Sequence, residues 1–275
     1  MTSVTGVFRT EADAQRALAQ IRSTGLPEDR ITLLTPGSVK GGQGLVEPGR
    51  VASESESAPV DAAEQPGMGK AVGALVGAAG GMSAGPLIVA ALVPGVGPIT
   101  AIGLLGGALL AAAGATVGAV AGGRVENAMT DGLPEDELFV YEDALRKGRN
   151  VVIALADDES AAAGIRELLK VEGAETVDAA RDQWWIGLRD AEIEHYSSFS
   201  RNLSENEKFY RMGFESALHA RTRCKEYDQV MGEMTAQIEE LEQQYPGAEV
   251  SEAYQRGYER GRDYYQQLCN ESKAA

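Results

Sequence analysis

From residue 71 to residue 123 the chain runs for 53 residues without one Asp, Glu, Lys or Arg, bounded by Lys70 and Arg124. A helix or sheet of a water-soluble protein keeps charges on its wet face, so this stretch belongs in a bilayer or inside an assembly. Residues 71–93 and 99–121 are each 23 long, enough at the helical rise to cross a hydrocarbon core of about 30 Å. VPGVGP at 93–98 reads as a tight turn between them. In the first arm Gly73, Gly77, Gly81 and Gly85 recur at every fourth position. The second carries Gly103 and Gly107, followed by Ala111 and Ala115, with Gly114, Gly118 and Gly122 on a neighbouring row. Small residues at this spacing let helix backbones approach closely where lipid removes the usual hydrophobic drive. The expectation is a pair of helix-packing glycine zippers spanning the cytoplasmic membrane, with lipid as the partner of residues 71–123 and Pro86 kinking the first arm. The alternative is the same helical hairpin buried in a soluble oligomer. Two spans leave both flanks on one side, and Lys70 and Arg124 fit the cytoplasmic side, which puts both termini in the cytoplasm.

Charge is distributed unevenly. The formal net charge is −16, and residues 124–275 hold 32 of the acidic and 18 of the basic groups. Such a surface repels phosphates, which excludes a general nucleic-acid binder. Two cysteines, Cys224 and Cys269, are too few for a disulfide scaffold or a thiolate zinc site. The opening MTSVTGVFRTEADAQ reaches Glu11 before any apolar run and so does not read as a signal peptide. Residues 37–69, rich in Gly, Ser, Pro and Glu, bury too little apolar surface to offset their ordering entropy and read as a disordered linker.

A β-α-β pattern occurs twice. Ser3–Phe8 is β-prone, Thr10 with Asp13 resembles a capping box, Ala14, Leu18 and Ile21 share a helix face, Gly25 stops the helix, and Ile31–Thr35 is a second strand. Residues 150–180 repeat the plan: NVVIALA is a strand, Asp158 starts a helix with Ile165, Leu168 and Leu169 on its apolar stripe, Gly173 stops it, and Glu175–Ala179 is a weak last strand. The pentapeptide Gly-Leu-Pro-Glu-Asp also appears twice, at 25–29 and 132–136. Two halves too small to cover their own sheets would combine into one ferredoxin-like split βαβ domain of α+β class. The expected organisation is therefore residues 1–36 as the first half, 37–69 as linker, 70–124 as the Ala/Gly-rich helical hairpin, 125–180 as the second half, and 181–275 as an all-α, aromatic-rich region.

That last region reads as helices near 187–203, 205–223, 225–244 and 250–269. It contains all but three of the chain's aromatic residues. Tyr210-Arg-Met-Gly-Phe-Glu215 matches Tyr254-Gln-Arg-Gly-Tyr-Glu259, which predicts two helices crossing through glycine notches. Tyr254, Tyr258, Arg262 and Tyr265 line one side of the final helix and are the expected contacts to a protein partner; the competing reading makes these tyrosines core. Glu192 and His195 have the ExxH spacing of carboxylate metal bundles, though the second pair that such bundles need is missing. Trp184-Trp185 reads as core packing at the domain junction, with a membrane-interface anchor or a ligand platform as alternatives. No P-loop, HExxH or CxxC motif occurs, and no cofactor is expected.

VTGVFRTEADAQRALAQIRSTGLPEDRITLLTP, the Ala/Gly zipper and GLPEDELFVYEDALRKGRNVVIALADDESAAAGIRELLKVEGAETVD together resemble the general stress protein family of bacteria, over about 1–36 and 68–180. The resemblance implies a stress-linked, membrane-associated, non-enzymatic protein acting through interaction or homo-oligomerisation, and it supplies no catalytic residues. The alternatives are a soluble oligomeric sensor binding a small ligand on the ferredoxin-like sheet, and a carboxylate–histidine metal protein.

Overall fold

The structure, a computed structural model, describes residues 1–37, 88–103, 106, 109, 135–197 and 203–274. Strand β1 (Thr2–Phe8) sends Val4 and Phe8 to one face and Val7 to the other. Thr10 ends it and caps α1 (Glu11–Ser23): its hydroxyl accepts the Asp13 amide at 3.2 Å and donates to the Asp13 carboxylate at 2.6 Å. Residues Glu28–Arg30 make one 3-10 turn into β2 (Ile31–Pro36), and Glu135–Glu137 make another into α2 (Leu138–Arg146), so both copies of the pentapeptide lead into the same local structure. Strand β5 (Asn150–Ala156) and α3 (Glu159–Val171) follow, the helix capped by Asp158, whose carboxylate accepts the Ala161 amide at 2.8 Å. Both α1 and α3 end where the sequence predicts, at Gly25 and Gly173, each at φ +88°.

The uncharged segment departs from expectation over 88–103, whereas Gly106 and Leu109, within the expected second arm, are helical. Residues Ile88–Val93 and Gly97–Ile102 are strands β3 and β4 of an antiparallel hairpin, not parts of two helical arms. The physical reason is local. Ala91, Val93, Ile99 and Ala101 are buried while Leu92 is exposed, a period of two. Gly95 and Gly97 hold φ of +77° and +104° in the turn that VPGVGP supplies. Gly103, expected in a helix interface, has φ +119° at the end of β4, and a methyl there would overlap the Ile31 carbonyl oxygen. Gly73, Gly77, Gly81, Gly85, Gly107, Gly114, Gly118 and Gly122 lie outside the described residues, as does the predicted linker beyond Gly37. Among the described residues no helix is long and apolar enough to cross a membrane.

The described residues form a mixed α+β protein with one six-stranded antiparallel sheet in the order β3-β4-β2-β5-β1-β6. β6 is only Glu175–Thr176, shorter than predicted, because Val177, Ala180 and Trp184 fall on one helical face and α4 (Val177–Ser197) begins at once. The Thr176 hydroxyl accepts the Ala179 amide at its start. On one side of the sheet α1 and α3 bury Ala14, Ala17, Ile21, Ala162 and Ile165 against Phe8, Ile31, Leu33 and Val152. On the other, α2 and α4 bury Tyr141, Leu145 and Trp184 against Leu34, Val93, Ile99 and Ile153.

Helices α5 (Leu203–Ser216), α6 (Tyr227–Gln244) and α7 (Val250–Ala274) complete the chain. α5 and α7 cross through the predicted notches. A methyl on Gly213 would overlap the Tyr254 carbonyl oxygen, and one on Gly257 would overlap that of Tyr210, a reciprocal contact between the two copies of the repeat. Gly261 meets Phe214 in the same way. With no room to yield, Gly257→Ala should destabilise the protein by about 1–3 kcal/mol or more. Gly232→Ala, on α6 with open space around it, should be neutral or stabilising by up to about 1 kcal/mol. Urea unfolding of the two variants measures the difference.

Candidate functional site

The chemically richest part of the molecule is the contact between the sheet layer and the C-terminal helices. In α2, Glu142 lies in line with Leu138 and Leu145, at i+4 and i+7 of an apolar stripe, and is buried with them. The turns at 217–226, after α5, bring Arg223 to it. The guanidinium donates to Glu142 Oε1 at 2.7 Å and to Oε2 at 2.9 Å, and its Nε donates to the Leu218 carbonyl at 2.8 Å. The same group lies 4.7 Å from the centre of the Tyr265 ring on α7. Both side chains are almost wholly removed from water. Burial pushes the Glu142 carboxyl up, opposed by the charge of Arg223.

A second buried acid, Glu192 of α4, takes both prongs of Arg260 at 2.9–3.1 Å and the Tyr210 hydroxyl at 2.7 Å. Burial, then the bond to Glu192, pushes the Tyr210 phenol far up, so it stays a donor. The Tyr196 ring packs edge-on to Tyr210 at 5.1 Å, and its buried hydroxyl has no partner among the described residues. Glu192 is therefore engaged by three donors rather than presented with His195 to a metal. Glu215 accepts from Arg211 at 2.6 Å. Among the described residues no group of three or more His, Cys, Asp or Glu side chains could hold a metal ion.

Between α4 and α5 lies a cleft of about 640 Å³ lined by Asp178, Arg181, Asp182, Trp185, Glu207 and Arg211, among others. Its charges are satisfied internally: Arg211 binds Asp182 at 2.9 Å, and Glu207 accepts from Arg189 at 2.7 and 2.8 Å and from the Trp185 indole at 3.0 Å. These donors pull the Glu207 carboxyl below its ordinary range, Arg189 foremost. Trp184 packs on Phe139 and Phe214, and Trp185 on Phe214 and Tyr210, so the pair forms core at the junction. The sheet face that a small-ligand sensor would use is covered by α2 and α4.

The expected partner-binding side of α7 needs correction. Tyr254 and Tyr258 are fully buried, Tyr265 is nearly so, and Arg262 pairs with Glu226 and Asp263. The reason is the position of α6, which lays Val230, Met234 and Ile238 over Tyr254 and Tyr258. Sequence reasoning offered Arg260 as a contact to a partner and missed its pairing with Glu192, and it missed Glu142 and Arg223; the one available signal was a glutamate placed on the apolar stripe of α2. Comparison with protein-family models, with curated proteins and with solved structures finds no match to this chain.

Two predictions follow from the buried charges. Arg223→Ala leaves the Glu142 carboxylate unpaired in the interior and should cost about 3–5 kcal/mol, whereas Glu142→Leu combined with Arg223→Met should recover most of the loss. Unfolding midpoints of both variants test this, and a loss under about 1 kcal/mol from Arg223→Ala would refute it.

His219 stacks on Phe139 and has Asp136 at 3.6 Å. Burial lowers its pKa; Arg181, Arg223 and Arg221 lower it further, against the attraction of Asp136. The folded state thus favours the neutral ring, so its contribution is full above the ordinary value of 6.5 and is lost as pH falls below it. His219→Gln should flatten the decline in stability between about pH 7 and pH 5, read from urea midpoints.

Proposed function

We propose that this chain is a non-enzymatic protein that works by assembly, with copies joining through the uncharged segment at the β3 side of the sheet, in the bacterial stress-response setting that its resemblance implies. The observation that carries this reading is the character of β3. Among the described residues it is the outermost strand, its sequence IVAALV holds no charge or proline, and Leu92 is 59% exposed. Unprotected apolar edges pair with other chains. The polar clusters of the junction support a structural role as well, because Glu142, Glu192 and Glu207 are each bound by arginine within the fold.

Within the sheet, β2-β5-β1-β6 with α1 and α3 on one face is read as the ferredoxin-like split βαβ unit, with the β3–β4 hairpin added at its β2 edge. Strand order and the shared helix layer support that reading. Membrane association is a second reading, favoured by the 53 consecutive uncharged residues.

Light scattering on the full-length protein should give an oligomer, and Leu92→Lys should lower its order while the separated chain stays folded, read from an unchanged far-UV circular dichroism spectrum, since the side chain is exposed in the single chain. A monomer at tens of micromolar would sink the assembly reading. Flotation of the protein with lipid vesicles would then support the membrane one.

A further inference from the structure

The free edge of β3 carries a row of backbone groups whose phase follows from the bonds on the far side of β4. The Gly37 amide donates to the Pro98 carbonyl at 2.6 Å, so Pro98 directs its backbone toward β2. Successive residues of a strand direct their N–H and C=O groups to opposite sides. Pro98, Thr100 and Ile102 therefore face β2, and Gly97, Ile99 and Ala101 face β3. The register sets Val93 opposite Gly97, Ala91 opposite Ile99 and Val89 opposite Ala101. Those three residues of β3 turn their backbone groups to β4. The turn agrees, since the Val96 amide donates to the Val93 carbonyl at 3.1 Å, on the inner side. Ile88, Ala90 and Leu92 point theirs away from the sheet, and among the described residues β3 is its outermost strand.

Resting on the assembly reading above, we infer that β3 pairs with β3 of a second copy, antiparallel about a two-fold axis at Ala90, and closes a dimer whose sheet runs through both chains. A two-fold axis normal to the sheet runs the two edges antiparallel. With Ala90 opposite Ala90 of the second copy, Ile88 falls opposite Leu92 and Leu92 opposite Ile88. All three outward residues then form hydrogen-bonded pairs, each exchanging two bonds. A slip of one residue would set outward residues against inward ones. A slip of two would leave one outward residue of each copy opposite a residue beyond the strand.

Charge favours a second copy at this place. Each chain has a net charge of −16, and like charges set directly opposite one another oppose strand pairing. IVAALV brings none to the contact, and pairing lays the exposed Leu92 beside the second strand. Assembly stops at two chains. The two-fold contact occupies β3 of both copies, and the other edge of each sheet is β6, two residues long with Glu175 held by Arg149. A closed dimer results, not a filament.

The test uses the full-length protein carrying Cys224→Ser and Cys269→Ser with one added cysteine. In a hydrogen-bonded antiparallel pair the Cα atoms lie about 5.5 Å apart, a span that a disulfide bridges. Ala90→Cys, oxidised with copper phenanthroline, should give a single dimer band on a non-reducing gel that dithiothreitol reverses. Leu92→Cys should not link to itself, because its two copies stand four residues apart along the strands, about 13 Å. It should link to Ile88→Cys when the two chains are co-expressed. Ala90→Pro removes an outward amide and keeps the bonds to β4, which an edge strand tolerates. Light scattering should show it as a monomer with an unchanged far-UV circular dichroism spectrum; if it does not fold, the cysteine series decides alone. An assembled protein in which Ala90→Cys fails to link, Leu92→Cys links to itself or Ala90→Pro stays dimeric overturns this pairing and leaves the assembly reading standing. A parent chain that scatters as a monomer removes both.

Discussion

The sheet depends on the pairing of β1 with β5. These strands are far apart in sequence yet run antiparallel along their whole length, Thr2 opposite Ala156 and Phe8 opposite Asn150. β2 attaches to the free side of β5, β6 to the free side of β1, and β4 and β3 extend from β2. Residues 37–69 and the uncharged segment both lie inside the loop that the β1–β5 pairing closes. Closure entropy grows slowly with loop length, so a long insertion adds little equilibrium cost, but non-local pairing of this kind slows folding. The compensation is a pair of central strands buried on both faces: every residue of β5 is buried, with Val152 and Ala154 facing one helix layer and Val151 and Ile153 the other.

The two faces are covered in different ways, and this accounts for the uneven distribution of aromatic residues. α1 and α3 lie close to the sheet on Ala14, Ala17 and Ala162, which leave little volume to fill. The opposite face carries α2 and then a stack of helices, and the wider space between those layers is filled by Trp184, Trp185, Tyr210 and Phe214. Backbone contact at Gly213 and Gly257 fixes how α5 and α7 cross; arginine–glutamate pairs fix how the stack meets the rest. Buried ion pairs add little net stability because desolvation opposes the attraction. Their effect here is geometric: Arg223 reaches Glu142 only when the turns after α5 sit against α2, and Arg260 reaches Glu192 only when α7 sits against α4.

Local signals in the sequence were legible where chemistry acts within a few residues. Thr10, Asp158, Gly25 and Gly173 mark helix ends by side-chain capping or by positive φ, and all four do so in the structure. The repeated Tyr-x-x-Gly-aromatic pattern predicted the α5–α7 notch because glycine at that position has few other uses. Over 88–103 the uncharged segment misled because glycine and alanine spaced by four fit a helix interface, while the shorter alternation of Ala91, Leu92 and Val93 and of Ile99 and Ala101 fits a strand. The pairing of β4 with β2, Leu33 opposite Ile102 and Pro36 opposite Ile99, joins residues far apart in sequence, and the alternation alone does not announce it. The tyrosines of α7 misled for a related reason: a helix face rich in Tyr and Arg has the composition of an interface, and only the placement of α6 shows that this interface is internal. Glu142 and Arg223 are 81 residues apart, so their pairing was not readable from spacing.

The two edges of the sheet are protected unequally. On one side β6 is only two residues long, and its Glu175 carboxylate is taken by Arg149 of the loop before β5, so a short strand and a charge pair both discourage further pairing. On the other side β3 runs for six residues without a charge, a proline or a glycine, beside a β4 whose own partner is already β2. Natural sheets defend exposed edges with lysine, proline, bulges or brevity, and this chain uses brevity and charge at β6 but neither at β3. The same segment that lacks charge over 53 residues thus supplies the undefended edge. On the assembly proposed above, a lysine in IVAALV would oppose the pairing of copies at this edge, where the Leu92 side chain stands exposed.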